Sequence, residues 1–292
     1  MNYEFYQVDV FAEEAFGGNP LAVFPDANGM DEFLMLKIAR EMNLSETTFV
    51  FPATSQDHDF KVRIFTPEKE IPFGGHPMLG TAHALKLAGF IDKNCKKSRL
   101  GTKVGPIEIT LMNGHYSMQQ PLPSFNNCEF SIELLTKALS LDITAIESKW
   151  KPQVVSTGFP AIFLPIKTRE ILSEIKLNLT LLEEVLSKIN MIYTFSLGEM
   201  KSSVNIHARS FAPFLGIYED PATGSAGGAL GAYLAKNKVV TKEYFNKINI
   251  KQGYEMGRPS RLEVKIGESE GKINSVEVGG NSILVIKGEL KI

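Results

Sequence analysis

The first element is marked by alternation. Tyr6-Gln7-Val8-Asp9-Val10 places its apolar side chains on one face with period two, the pattern of a half-buried strand. Leu21 to Phe24, after the Gly17-Gly18-Asn19-Pro20 turn, reads as its partner. From Asp31 to Met42 the period changes: Leu34, Ile38 and Met42 recur every four residues, one face of a helix. Thr47 to Phe51 and Phe60 to Phe65 return to strand-like runs. A second helix is expected from Pro77 to Leu87, stopped by Gly89. Ile107 to Leu111 and His115 to Gln119 then read as a hairpin around Asn113-Gly114. Helices are too few and strands too short for a doubly wound parallel sheet, so the expected class is α+β.

The pattern also repeats. Arg63-Ile64-Phe65-Thr66-Pro67 and Arg209-Ser210-Phe211-Ala212-Pro213 share R-x-F-x-P at an offset of 146, and Thr48-Phe49 matches Thr194-Phe195 at the same offset. Downstream, His76-Pro77-Met78-Leu79-Gly80-Thr81-Ala82 is matched to Asp220-Pro221-Ala222-Thr223-Gly224-Ser225-Ala226 at an offset of 144, with two residues lost between the blocks. An offset near half the chain predicts two domains of one design. The boundaries expected are 1–125 and 126–280, with a final strand, about 281–292, returning to the first domain.

Each copy of the downstream block sets a polar residue before a proline and a run of small residues. His76 and Asp220 are expected as N-caps, with Pro77 and Pro221 in the first helical position. The helices that follow, rich in Gly, Ala, Ser and Thr, are poor by propensity. They make sense if buried on all sides, each at the centre of a curved sheet. Their uncapped N–H groups and the positive end of the helix dipole suit an anion. A cleft between the domains is the expected place for a small ligand. Read one at a time, Gly74-Gly75 and Gly224 to Gly228 are equally well turns and close packing. Neither fits a nucleotide-binding glycine motif.

Composition narrows the class. The 292 residues, 43% hydrophobic and 22% charged, are ample for two cores. A net charge of -2 and the absence of a basic stripe argue against a nucleic-acid partner. No run of about 18 apolar residues suggests a membrane span. Met1 to Phe16 carries Glu4, Asp9, Glu13 and Glu14 and no basic leader, so no secretory signal is expected. Cys95 and Cys128, 33 residues apart in polar surroundings, form neither a disulfide framework nor a zinc site and suit a cytoplasmic protein. His58, His76, His83, His115 and His207 make no metal-binding pair, so no metal is expected.

The repeat breaks at Glu46, whose counterpart 146 residues on is Ile192. A carboxylate confined to one half, between Ser45 and Thr47 at the entry to an apolar strand, can project into a cleft with its pKa raised by desolvation. One carboxylate that takes and returns a proton suffices for an isomerisation. The alternative is a surface or helix-start glutamate after Asn43-Leu44-Ser45.

These residues also carry a family resemblance. Gly17-Gly18-Asn19-Pro20, Asn43-Leu44-Ser45-Glu46-Thr47, Arg63 to Pro67, Gly74-Gly75-His76-Pro77, Glu219 to Ser225 and Gly257-Arg258-Pro259-Ser260 together resemble the phenazine-biosynthesis PhzF-like family. The motifs run from near the N-terminus to the Gly279-Gly280 and Gly288-Glu289-Leu290 tail; only the stretch from about 120 to 200 is unremarkable. The resemblance implies a diaminopimelate-epimerase-like fold, with two pseudo-symmetric domains that each roll a mostly antiparallel sheet around a central helix. It implies an active site between them, a homodimer, and no cofactor or metal. By the same resemblance Glu46 is catalytic, and His76, Asp220, Ser225, Gly75 and Gly224 bind substrate. None departs from the family pattern. The phenazine-making member moves a proton between carbons of a dihydro-hydroxyanthranilate ring, and look-alikes with other substrates are expected.

The expected function is a cofactor-independent isomerase that shifts a proton, and with it a double bond, in a small carboxylated substrate, cyclic ones included. Two rivals stand beside it. A two-base amino-acid epimerase or racemase of the same fold needs two acids facing one carbon, such as paired thiols at the helix starts, where this chain has His76 and Asp220. A non-catalytic metabolite-binding protein has no need of a desolvated lone carboxylate, so Glu46 separates it from an enzyme.

Overall fold

A computed structural model of the chain describes residues 2–112 and 114–292. It divides into two compact units, Met1–Gln119 with Gly279–Ile292, and Gln120–Val278. The division falls before the expected boundary at 125, because the side chain of Gln120 donates to Gly224 O and so belongs with the second unit.

In the first unit the chain runs β1 (Asn2–Val10), β2 (Asn19–Phe24), α1 (Glu32–Met42), β3 (Glu46–Pro52), β4 (Phe60–Phe65), β5 (Glu70–Ile71), α2 (Gly75–Leu87), β6 (Lys97–Thr102), β7 (Gly105–Met112) and β8 (His115–Gln120). β1 pairs antiparallel with β2, β2 runs parallel to β3, β3 antiparallel to β4, β4 parallel to β6, and β6, β7 and β8 follow antiparallel. The expected hairpin is present, with Met112 opposite His115; Asn113 itself lies outside the described residues. Helix α1 starts where Asp31 accepts the Leu34 N–H and stops at Asn43, which takes the left-handed conformation (φ 51°). Its inner face packs with Phe24, Phe49 and Phe65.

The second unit continues with β9 (Ser124–Asn127), α3 (Ile132–Ala138), β10 (Gln153–Ser156), β11 (Pro160–Ile166), α4 (Arg169–Ser173), α5 (Leu179–Leu186), β12 (Ile192–Met200), β13 (Val204–Ala212) and β14 (Ile217–Asp220). Then come α6 (Gly224–Lys236), β15 (Ile248–Gln252) and β16 (Ser260–Ser269). Its pairing order repeats the first: β10 antiparallel to β11, β11 parallel to β12, β12 antiparallel to β13, β13 parallel to β15, β15 antiparallel to β16. The last strand, β17 (Lys272–Lys291), leaves this unit at Gly279 and pairs with β1 from Ser282 to Lys291. Since β8 also pairs with β17, the first sheet closes on itself.

Each unit holds one 13-residue helix buried on every face, α2 against β1, β2, β3, β6 and β7, and α6 against β10, β11 and β16. Small residues are what allow this. A Cβ on Gly80 would come within 2.6 Å of Leu21 Cδ2 and 2.7 Å of Val10 Cγ2, so strand and helix meet only over a glycine. No helix among the described residues is long and apolar enough to cross a membrane.

The repeat is real but its second block aligns differently. Arg63 holds Glu70 through Nε and Nη2 (2.9 and 2.6 Å), and Arg209 holds Glu219 in the same way (2.9 and 2.8 Å). Each guanidinium also lies over the phenylalanine two residues on, 5.1 Å from the Phe65 ring and 5.0 Å from that of Phe211. Glu70 and Glu219 are 149 apart, as are the helix starts Gly75 and Gly224. The counterpart of His76 is therefore Ser225, not Asp220, and three residues are gained between the blocks. The caps change accordingly. Gly74 and Thr223 are the N-caps; His76 is the second residue of α2, and Asp220 ends β14, ahead of α6. The Asp-Pro and His-Pro pairs matched as letters, whereas the Arg–Glu clamp fixes which residues share a place.

Candidate active site

In the first unit the turn out of α1 delivers Glu46. Asn43 ends the helix, Ser45 Oγ donates to Asn19 Oδ1 (3.1 Å), and β3 opens at Glu46 opposite Leu21 of β2. The carboxylate is not on the surface: its side chain is 12% exposed, and Oε2 lies 3.3 Å from His76 Nε2. His76 is carried there by the first turn of α2, whose N-cap, Gly74, is extended and offers no side-chain cap. Loss of water pushes the buried imidazole down from 6.5 to about 3, so His76 is neutral near pH 7. A neutral imidazole has one donor and one acceptor nitrogen. The pair thus joins a group that can exchange a proton to one that can hold or polarise a substrate without itself carrying charge. Gly75, beside it, opens α2, where the helix dipole favours negative charge.

In the second unit β14 delivers Asp220, 8% exposed, and the hydroxyl of Thr223 donates to its Oδ2. Gly224 and Ser225 form the opening of α6. Their carbonyls are held from outside the helix: Gln120 Nε2 donates to Gly224 O (3.0 Å), and Thr157 Oγ1 lies 3.1 Å from Ser225 O and 2.8 Å from Gln120 Oε1. The six expected site residues therefore form two clusters, Glu46, Gly75 and His76 in one unit and Asp220, Gly224 and Ser225 in the other.

Reading the sequence missed the residues behind these clusters. Gln120, Thr157, Tyr193 and Gln252 are all buried and bonded around the start of α6. One signal was available for Gln252: in Ile248-Asn249-Ile250-Lys251-Gln252 it falls on the same face as the two buried isoleucines, where an apolar residue belongs. Among the described residues no group of His, Cys, Asp and Glu is placed to hold a metal ion, and both cysteines are free thiols.

Two units of one topology, each wound on a buried small-residue helix, are a diaminopimelate-epimerase-like fold, here with Glu46 and His76 brought together at one helix start. Residues 8–288 match the phenazine biosynthesis-like protein family, and the chain belongs to it. A trans-2,3-dihydro-3-hydroxyanthranilate isomerase of Pseudomonas aeruginosa is 35% identical, over 98% of each chain. An uncharacterized isomerase of Clostridium acetobutylicum is 33% identical over 99% of this chain and 98% of its own. Among solved structures, a PhzF-family phenazine biosynthesis protein of Bacillus anthracis superposes with a TM-score of 0.90 at 27% identity, covering 100% of both chains. The protein is an isomerase of the PhzF family.

Proposed function

We propose that this isomerase moves a proton between carbons of a small carboxylated substrate without a cofactor, with Glu46 as the sole general acid/base. The Glu46 carboxylate takes a proton from an acidic C–H; the electron pair of that bond spreads over the neighbouring double bond and carbonyl as an enolate. Glu46 then returns the proton to a different carbon, and the double bond moves with it. Atoms and charge balance with no other reactant. His76, neutral, orients the substrate and shares a hydrogen bond with it. Asp220 and Ser225 position its polar groups, and the amides at Gly75 and Gly224 favour its negative charge. A cytosolic setting suits the two free thiols.

The observation that carries this reading is the 3.3 Å approach of Glu46 Oε2 to His76 Nε2 in surroundings nearly closed to water. The duplication supports one base rather than two. The place of Glu46 in the second unit is taken by Ile192 and that of His76 by Ser225, so a two-base epimerase would lack its second acid there. The ring carboxylate named for the Pseudomonas relative supports the substrate class.

Glu46→Gln tests it, because the amide keeps the shape and loses the base. With trans-2,3-dihydro-3-hydroxyanthranilate as probe in deuterated water, the parent should turn over and incorporate deuterium. The variant should lose about 10²–10⁴ in rate with little change in affinity or thermal midpoint. A folded variant that works at the parent's rate refutes Glu46 as the base.

A further inference from the structure

We infer that Gln252 is a positioning residue for the reaction, which through Thr223 orients the carboxylate of Asp220. The inference deepens the proposed function, since it rests on Asp220 meeting the substrate.

Gln252 closes β15 with 1% exposure, and its amide is fully used. Oε1 accepts from Tyr193 Oη (2.8 Å) and from the Thr223 N–H (3.3 Å). Nε2 donates to Asp220 O (2.6 Å) and to Thr223 Oγ1 (3.0 Å). The amide has only one workable orientation. Turned over, its NH2 would face the Thr223 N–H and its oxygen the Asp220 carbonyl, two repulsive contacts in a buried place. With Nε2 facing it, Thr223 Oγ1 is an acceptor there, and its single proton goes to the other neighbour, Asp220 Oδ2. Donors therefore run in one direction, from Tyr193 to Gln252 to Thr223 to Asp220. Burial, reinforced by the Asp220 charge, pushes the Tyr193 phenol up, so the first donor keeps its proton.

The duplication shows that the fold does not require this chain of donors. At offsets of 146 and 149 the first unit has Thr47 for Tyr193, Ile71 for Asp220 and Gly74 for Thr223. The parallel pairings of β4 with β6 and β13 with β15 place Thr102 where the second unit has Gln252. With none of the four groups, the first unit still builds a 13-residue helix after the same Arg–Glu clamp. Only the half that carries Asp220 has them. Gly253 lets the strand end there: at φ +78° it passes against Pro221 O and Arg258 O, where a Cβ would not fit.

Three variants test the inference, by crystal structure and by kinetics on trans-2,3-dihydro-3-hydroxyanthranilate. Thr223→Val removes the hydroxyl at nearly constant shape and should let the Asp220 carboxylate rotate, with kcat/KM lower by about 10- to 100-fold. KM should carry part of that loss, whereas Glu46→Gln acts on kcat alone. Thr223→Ser should return the carboxylate to its place and kcat/KM to within about twofold. Gln252→Glu makes both side-chain oxygens acceptors, which compete with Asp220 for the Thr223 proton, and should repeat the effect of Thr223→Val. The inference is overturned if Asp220 is unmoved in folded Thr223→Val, or if Thr223→Ser behaves like Thr223→Val. The carboxylate's position decides this even if the parent does not turn over the probe, an outcome that would count only against the substrate proposal.

Discussion

Acid should weaken this protein well before its carboxylates titrate, and buried histidines, the two of α2 above all, set the amount. Burial pushes His76 down from 6.5 to about 3, and pushes His83 down to about 4 with help from the Lys86 charge. Between those values and 6.5 the unfolded chain binds protons that the folded one refuses. Stability is therefore complete above about pH 6.5 and falls as pH drops through the window, levelling off below the folded values. By about pH 5 each histidine accounts for about 2 kcal/mol, at 1.36 kcal/mol for each pH unit below 6.5. Glu46 lies 3.3 Å from His76 Nε2 and its charge favours the imidazolium, which trims the His76 share. The expected loss from the α2 pair between about pH 7 and pH 5 is about 2–4 kcal/mol, a large part of a typical total of about 5–15. His207 of β13, half-buried and also pushed down to about 4, chiefly by burial, adds a smaller, solvent-screened part. Urea unfolding at a series of pH values and constant ionic strength reads it directly. His83→Gln keeps an amide within reach of the Tyr116 hydroxyl, now 2.9 Å from His83 Nδ1, and should remove its own share of the pH dependence, about 2 kcal/mol by pH 5. Equal stability at the two pH values, or a His83→Gln variant with the parent's slope, refutes the reasoning.

Two further expectations follow from the clamp and from the family. Arg209 and Glu219 are 8% and 9% exposed, and Arg209 Nη1 also donates to the carbonyls of Leu172 and Ile175 (3.1 and 3.2 Å). Arg209→Met should therefore cost about 3–5 kcal/mol in urea unfolding by stranding a buried carboxylate. Arg63→Met should cost less, because Lys103 still pairs with Glu70 (2.6 Å); equal costs would argue against compensation by that second cation. We also propose a homodimer, so sedimentation at micromolar concentration should give about twice 32.3 kDa, and a monomer boundary at every concentration would count against it.

The site was more legible than its supports. Glu46 stood out because the repeat left an apolar Ile192 in its place, and the structure buries that carboxylate instead of leaving it on the surface. The strand through Tyr6 to Val10 was readable from alternation, which follows from which face of a sheet is wet. The roles of His76 and Asp220 as caps were misread. Letter matching joined His-Pro to Asp-Pro, while the true correspondence is carried by the contacts Arg63–Glu70 and Arg209–Glu219, across seven and ten residues of chain.

The order of residues along this chain, then, determined the main elements of the first half, the duplication and the lone carboxylate, because periodicity and repeated motifs are written in the sequence itself. Tertiary structure alone decided the partners of Gln252. Tyr193, Gln252 and Thr223 are brought together by hydrogen bonds spanning 59 and 29 residues. Such bonds form only when β12, β15 and the start of α6 pack side by side, and no local pattern encodes that meeting. The same holds for His76: a histidine in a sequence is an ordinary titrating group, and burial by the surrounding strands is what makes it neutral.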